Sequence, residues 1–146
     1  MKKIKVLFVC VHNSARSQMA EALLTHHAGD LFKVESAGLE PGKINLLAIK
    51  AMQEMGIDIS NNETNSAFEF LKEGRAYNFV ITVCDESQSE RCPIFPGNSQ
   101  RLHWSFEDPS SLTGTEIEKL NRTIEIRNQI EQKILEFIKK VKETIS

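Results

Sequence analysis

An apolar run from Ile4 to Phe8, broken by Lys5, leads through Val9 into Cys10, and Arg16 stands after five intervening residues, where a helical pattern begins. From about Ala15 onward, Met19, Ala22, Leu23 and His26 recur at spacings of three and four, as in an amphipathic helix. A strand, a short loop and a helix therefore share one junction, with a cysteine at its floor. Backbone N–H groups of such a loop, with the unpaired donors and positive dipole end of a helix N-terminus, cradle a tetrahedral oxyanion. The loop residues Val11, His12, Asn13, Ser14 and Ala15, with Arg16, are the candidate anion-binding set. The same donors favour a thiolate at Cys10, which makes it the candidate nucleophile. Arg16 adds a planar fork able to hold two oxyanion oxygens. Asn13 tolerates the left-handed backbone that turns N–H groups inward, and Ser17 can donate its hydroxyl to the sulfur. A cysteine closing a buried strand is otherwise a small core residue. The reading therefore rests on strand, loop and helix together, not on the Cys-to-Arg spacing alone.

The rest of the chain alternates strand and helix signals. Phe32 to Gly38 alternates as a second strand, Pro41-Gly42 marks a turn, and Asn45 to Met55 places Ala48, Met52 and Met55 on one helical face before Gly56. Ser66 with Glu69 opens a short helix ending at Gly74. Asn78 to Val83 is a third strand and Gln100 to Trp104 a fourth. Asp85 to Asn98 reads as loop or weak helix. Thr115 with Glu118 forms a capping box for a long helix whose stripe is Leu120, Ile124, Ile130, Ile134, Phe137, Val141 and Ile145. Such alternation implies an α/β fold with a parallel sheet covered by helices on both faces. Ligands of such sheets bind beyond the carboxyl ends of the strands. Cys10 follows strand one, Cys84 strand three and Asp108 strand four, so all three are expected at one edge.

Asp108-Pro109 admits two readings. Asp-Pro is a frequent turn opener, yet the proline also biases Asp108 away from helix and stiffens a loop that could hold it over the cradle. Oxyanion chemistry on a thiolate needs an acid to protonate the departing oxygen. Asp108 is the candidate and Glu107 its neighbouring alternative.

At 146 residues, 40% apolar and 26% charged, the chain is expected to form one domain, residues 1–146, without disulfide staples. A net charge of −2 argues against nucleic-acid binding through a bulk positive field. No apolar run is long enough to span a bilayer and Lys2-Lys3 precedes a strand rather than a signal peptide, so a cytoplasmic protein without membrane association is expected. Three cysteines without a Cys-x2-Cys pair suit reactive thiols better than zinc or a disulfide framework.

The stretch from Val9 to Glu21, with Cys10, Asn13, Arg16, Ser17, Met19, Ala20 and Glu21, resembles the low-molecular-weight protein tyrosine phosphatase superfamily. Gln18-Met19-Ala20-Glu21, together with Cys84 and with Cys92 in Cys92-Pro93-Ile94-Phe95-Pro96, looks most like its thioredoxin-coupled arsenate reductases. The resemblance implies a four-stranded parallel sheet in the order 2-1-3-4 and a catalytic set of Cys10, Arg16, Ser17, Asp108, Cys84 and Cys92. It implies arsenate as substrate, Cys10 as nucleophile, Asp108 as acid, Cys84 and then Cys92 as an electron relay, and thioredoxin as reductant, in arsenic detoxification. The interval between Cys84 and Cys92 is one residue longer than in the best-known members. A monomer is expected, with no cofactor and no metal. The potassium site reported in the family would fall on Asn13, Glu21 and Ser36 plus a fourth position that aligns with Ser66.

Two other readings stay open. A phosphatase would hydrolyse phosphate monoesters through a Cys10 phosphocysteine, but that branch usually supplies tyrosines after Asp-Pro. Here Ser110, Ser111 and Leu112 follow, and the single tyrosine is Tyr77. A non-enzymatic, redox-sensitive oxyanion-binding module would need no acid at Asp108. For the relay, residues 84 to 92 are expected to be ordered when reduced and looped out when Cys84 and Cys92 are joined, because eight helical steps span about 12 Å and a disulfide needs Cα atoms within about 7 Å.

Overall fold

Val6, Leu7, Phe8 and Val9 are wholly buried, as a continuous apolar run must be when it forms an inner strand of a parallel sheet. The computed structural model describes residues 2–84 and 91–145. In it β1 (Ile4–Cys10) pairs in parallel with β2 (Phe32–Gly38) on one side and β3 (Phe79–Thr82) on the other, and β4 (Gln100–His103) completes the sheet beside β3. The strand order is 2-1-3-4, all parallel, as expected. The register sets Cys10 opposite Gly38 and Val80 opposite Arg101.

The helices are α1 (Arg16–Ala28), α2 (Leu46–Glu54), α3 (Ala67–Lys72) and α4 (Glu116–Ile145). Strand alternation divides the core. Val6, Phe8, Cys10, Ile81 and Val83 join Met19, Leu23 and Leu24 of α1 and Ile126, Ile130 and Ile134 of α4. Leu7, Val9, Ala37 and Val80 instead meet Ala67 and Phe70 of α3, with Tyr77, Cys92 and Phe95. Phe137 is the aromatic hub of the first side, edge-on to Phe79 at 5.0 Å and to Trp104 at 5.7 Å between ring centroids.

Local chemistry accounts for the helix ends. The Asn45 side chain accepts from the N–H groups of Leu47 and Ala48, and Ser66 accepts from Glu69 N. Thr115 and Glu118 bond each other's backbone N–H reciprocally. Gly56 and Gly74, just beyond α2 and α3, take the positive φ that a side chain would oppose.

Two apolar stripes differ from expectation. In α1, Met19, Ala20, Leu23 and Leu24 are buried while His26 is exposed, because the helix rests between the sheet and α4. In α4 the buried line passes through Thr123, Ile126 and Ile130, leaving Ile124 half-buried and Ile145 exposed at the helix end. Arg127 is buried in that line because its guanidinium clamps α2, donating to Ala51 O at 2.7 Å and to Glu54 Oε1 at 2.5 Å. Of the loop expected from Asp85 to Asn98, residues 91–98 carry only turns, bends and irregular backbone, and residues 85–90 lie outside those described.

Candidate active site

The loop between β1 and α1 is turned inside out by its surroundings. Its carbonyls face the segment after β2, where Leu39, Glu40, Gly42 and Asn45 donate N–H groups to Cys10, Val11, His12 and Ser14 at 3.1, 2.7, 3.0 and 2.8 Å. The carbonyls are thereby occupied on that side of the loop. Asn13 takes φ 54°, the left-handed value expected of it, and its N–H lies 3.2 Å from Cys10 Sγ. Close approach of β2 is permitted by Gly38, where a Cβ would lie 2.7 Å from Asn13 N and 2.8 Å from the His12 carbonyl carbon. Helix α1 starts behind Ala15, which offers no side-chain cap, so its first-turn donors remain available to an anion.

Hydrogen-bond bookkeeping orients the sulfur's second partner. Asn13 Oδ1 accepts from Asn65 N at 2.8 Å and from Gln18 Nε2 at 3.1 Å, which assigns that end of the amide as oxygen. Its Nδ2 therefore donates to Ser17 Oγ at 2.7 Å. Ser17 Oγ then has its own proton for Cys10 Sγ, 2.9 Å away. Two donors thus converge on the Cys10 sulfur at the C-terminal end of an inner strand. His12 is turned outward, its Nδ1 bonded to Glu40 O at 2.8 Å.

Arg16, 5% exposed, reaches the loop after β4, donating from Nη1 to Phe106 O at 3.1 Å and placing Nη2 3.4 Å from Asp108 Oδ2. Asp108 is extended, as a residue before proline should be, and its Oδ1 accepts from Ser110 N and Ser110 Oγ, capping the 3-10 turn Pro109–Ser111. Glu107 points elsewhere, bound by Arg122 Nε at 2.6 Å on α4. Of the two candidate acids, only Asp108 touches the arginine of the cradle.

All three cysteines are buried thiols. Cys84 belongs to the same side of the core as Cys10, whereas Cys92 lies in the opposite apolar cluster. Burial pushes the Cys92 thiol up to about 11, opposed by the Arg101 guanidinium and reinforced by Cys84. Tyr77 is buried in that second cluster, 5.3 Å edge-on from Phe95, so it does not wall the cradle.

Gln18 and Asn65 set the orientation of Asn13, and neither was a candidate in the sequence. Gln18 is 1% exposed although it belongs to the polar first turn of α1. The residues of the potassium set are tied into the structure by hydrogen bonds. Ser66 is spent on capping α3, and Asn65 is the residue that meets Asn13 and, through Nδ2, Ser36 O at 3.1 Å. Ser36 Oγ donates to Glu21 Oε1 at 2.5 Å, and burial raises the Glu21 pKa above the usual carboxylate value. These groups are joined to one another by hydrogen bonds.

A family model described as low molecular weight phosphotyrosine protein phosphatase matches residues 5–146. The chain is 39% identical over 132 residues to an arsenate reductase of Bacillus subtilis, covering 90% of this chain and 93% of the relative. It is similar to an arsenate reductase solved in its oxidized state, with a TM-score of 0.76 and 31% identity over 94% of this chain and 98% of that one. It also matches a thioredoxin-dependent arsenate reductase of Corynebacterium glutamicum, with a TM-score of 0.73, 31% identity and 99% of this chain covered. The chain spans 64% of the length of that protein.

Proposed function

Because this chain belongs to the low molecular weight phosphotyrosine protein phosphatase family, we propose that it is an enzyme of that fold which reduces arsenate to arsenite through Cys10, Cys84 and Cys92. The observation that carries the reading is the convergence of Asn13 N and Ser17 Oγ on Cys10 Sγ beside the Arg16 and Asp108 pair. Cys10 thiolate attacks arsenic, with the loop N–H groups and the Arg16 fork taking the oxyanion charge. Asp108 gives a proton to the departing oxygen, which leaves as water. Cys84 thiolate then attacks Cys10 Sγ. The S–As bond breaks, its electron pair stays on arsenic as As(III), and a Cys10 to Cys84 disulfide forms. Cys92 thiolate attacks Cys84, releasing Cys10 thiolate and leaving a Cys84 to Cys92 disulfide. A dithiol reductant of the thioredoxin class returns both thiols and is itself oxidised to a disulfide.

Reduction is favoured over phosphate-ester hydrolysis by residues that hydrolysis leaves idle. Cys84 and Cys92 have no part in a phosphocysteine cycle, and the tyrosine that could flank an aryl group is buried in the second core cluster. Named relatives along nearly the whole chain are arsenate reductases. We place the enzyme in the cytoplasm as a monomer, in arsenic detoxification, with its site on Val11, His12, Asn13, Ser14, Ala15, Arg16 and Ser17.

Arsenite release should be measured from the reduced protein, first in single turnover and then with thioredoxin, its reductase and NADPH, beside hydrolysis of an aryl phosphate. Arsenite with a Cys84 to Cys92 disulfide by peptide mapping supports the relay. Aryl phosphate turnover without arsenite replaces it by the phosphatase reading, and anion binding without either leaves a binding module.

A further inference from the structure

Cys92 is a thiol enclosed by apolar side chains. It is 5% exposed, among Leu7, Val9, Val80 and Phe95, and a buried thiol in apolar surroundings is a poor nucleophile because only the thiolate attacks. Among the described residues of its loop, 91–98 carry no strand or helix. Among the described residues, the Arg101 side chain joins this loop to the sheet by hydrogen bonds. Arg101, the second residue of β4, stands in register with Val80, whose side chain belongs to the Cys92 cluster. Its Nη2 donates to Cys92 O at 3.3 Å and its Nη1 to Pro93 O at 3.4 Å.

We infer that Arg101 is a positioning residue for Cys92, its guanidinium fork fixing the Cys92-Pro93 backbone on the edge strand and bringing positive charge beside the sulfur. The inference rests on the relay proposed above and deepens its last thiol step. The fork holds two successive carbonyls, those of Cys92 and Pro93, and so restrains the backbone immediately after the Cys92 Cα. The groups that bear on the thiol's ionisation are Arg101 from β4, which favours the thiolate, and Cys84 from the end of β3, which opposes it. Arg91, the preceding residue, has its guanidinium on Glu40 Oε2 at 3.3 Å. In the step itself, Cys92 loses its proton to solvent and its thiolate displaces Cys10 thiolate from Cys84, a disulfide exchange that needs no further oxidant.

The test compares Arg101→Gln and Arg101→Lys in the full chain. In a Cys10→Ser, Cys84→Ser background, Cys92 alkylation by iodoacetamide is followed across alkaline pH. Arg101→Gln should slow it roughly tenfold, the effect of about one pKa unit, with the profile displaced upward. Arg101→Lys, which keeps charge and loses the fork, should fall between. A merely structural role would act the other way, since a loosened loop exposes the thiol and speeds its alkylation. An unchanged or faster reaction in Arg101→Gln overturns the inference, and if that variant does not fold, an unchanged profile in Arg101→Lys does so. With Cys10 and Cys84 restored, single-turnover arsenite release should be unchanged in Arg101→Gln, while Cys84 to Cys92 disulfide formation slows by the same factor. If no variant releases arsenite, the reductase reading falls, and the alkylation profile alone decides the hold of Arg101 on Cys92.

Discussion

Arg16 Nη2 lies 3.4 Å from Asp108 Oδ2, joining the first residue of α1 to the loop that leaves β4. The guanidinium therefore does two tasks, facing the anion cradle and holding the candidate acid beside it. Arg16→Lys keeps one charge but cannot bond Phe106 O, Asp108 and an oxyanion together. Its kcat/KM for arsenate should fall roughly a hundredfold, the loss expected of a missing oxyanion donor. Near-native kinetics would show that the fork is not used.

Asp108→Asn should lower kcat by roughly 10²- to 10⁴-fold, as for a lost general acid. Glu107→Gln should leave kcat nearly unchanged, because that carboxylate is committed to Arg122 on α4. The reverse order of effects would assign the acid to Glu107.

Ser17→Ala removes the hydroxyl proton aimed at Cys10 Sγ and strands the Asn13 amide that feeds it. A hydrogen bond to a charged group is worth about 1.5–3 kcal/mol, so alkylation of Cys10 near neutral pH should slow by roughly one to two powers of ten. Equal alkylation rates would mean that the loop N–H groups suffice.

Gly38→Ala tests whether β2 shapes the loop. The added Cβ would meet backbone at 2.7 to 2.9 Å, at Asn13 N, the His12 carbonyl carbon and Val11 O, none of which can swing aside as a side chain could. The loop must shift, and arsenate affinity by calorimetry should drop roughly a hundredfold, the scale of a misplaced site. Unchanged affinity would free the cradle from any dependence on β2.

Glu21 has a pKa raised chiefly by burial, with the Ser36 hydrogen bond opposing and Glu35 adding to the rise. A carboxyl whose folded pKa exceeds its unfolded one favours folding when protonated, and that contribution is lost as pH climbs through the folded value. Glu21→Gln should therefore raise Tm at neutral pH, with the gain shrinking as pH falls into the range where carboxylates protonate. A gain that is constant with pH, or absent, would show that Glu21 is not buried as a charge.

Much of the fold was legible in the chain because it is written in near neighbours. The Thr115 and Glu118 box, the Asn45 cap and the glycines after α2 and α3 act within a few residues of themselves. The buried run of β1, the left-handed Asn13 and the Arg16 that follows are equally local, so the junction around Cys10 could be anticipated, whereas the 2-1-3-4 order was implied only by the family resemblance. The conformational expectation for residues 84 to 92 falls largely on residues 85–90, outside those described.

Tertiary structure decided what hangs on partners far along the chain. Only folding brings Asn65 onto Asn13 Oδ1, which turns the Asn13 amide nitrogen to Ser17. Only folding turns Glu107 to Arg122 while Asp108 meets Arg16, and packs Cys92 in a different apolar cluster from Cys10 and Cys84. The sequence by itself determined the kind of chemistry, because residue type and local backbone geometry set which atoms can donate, accept or attack. Which of those atoms meet was left to packing, because a hydrogen bond is lost within a fraction of an ångström and only the assembled sheet and helices hold distant residues to that tolerance.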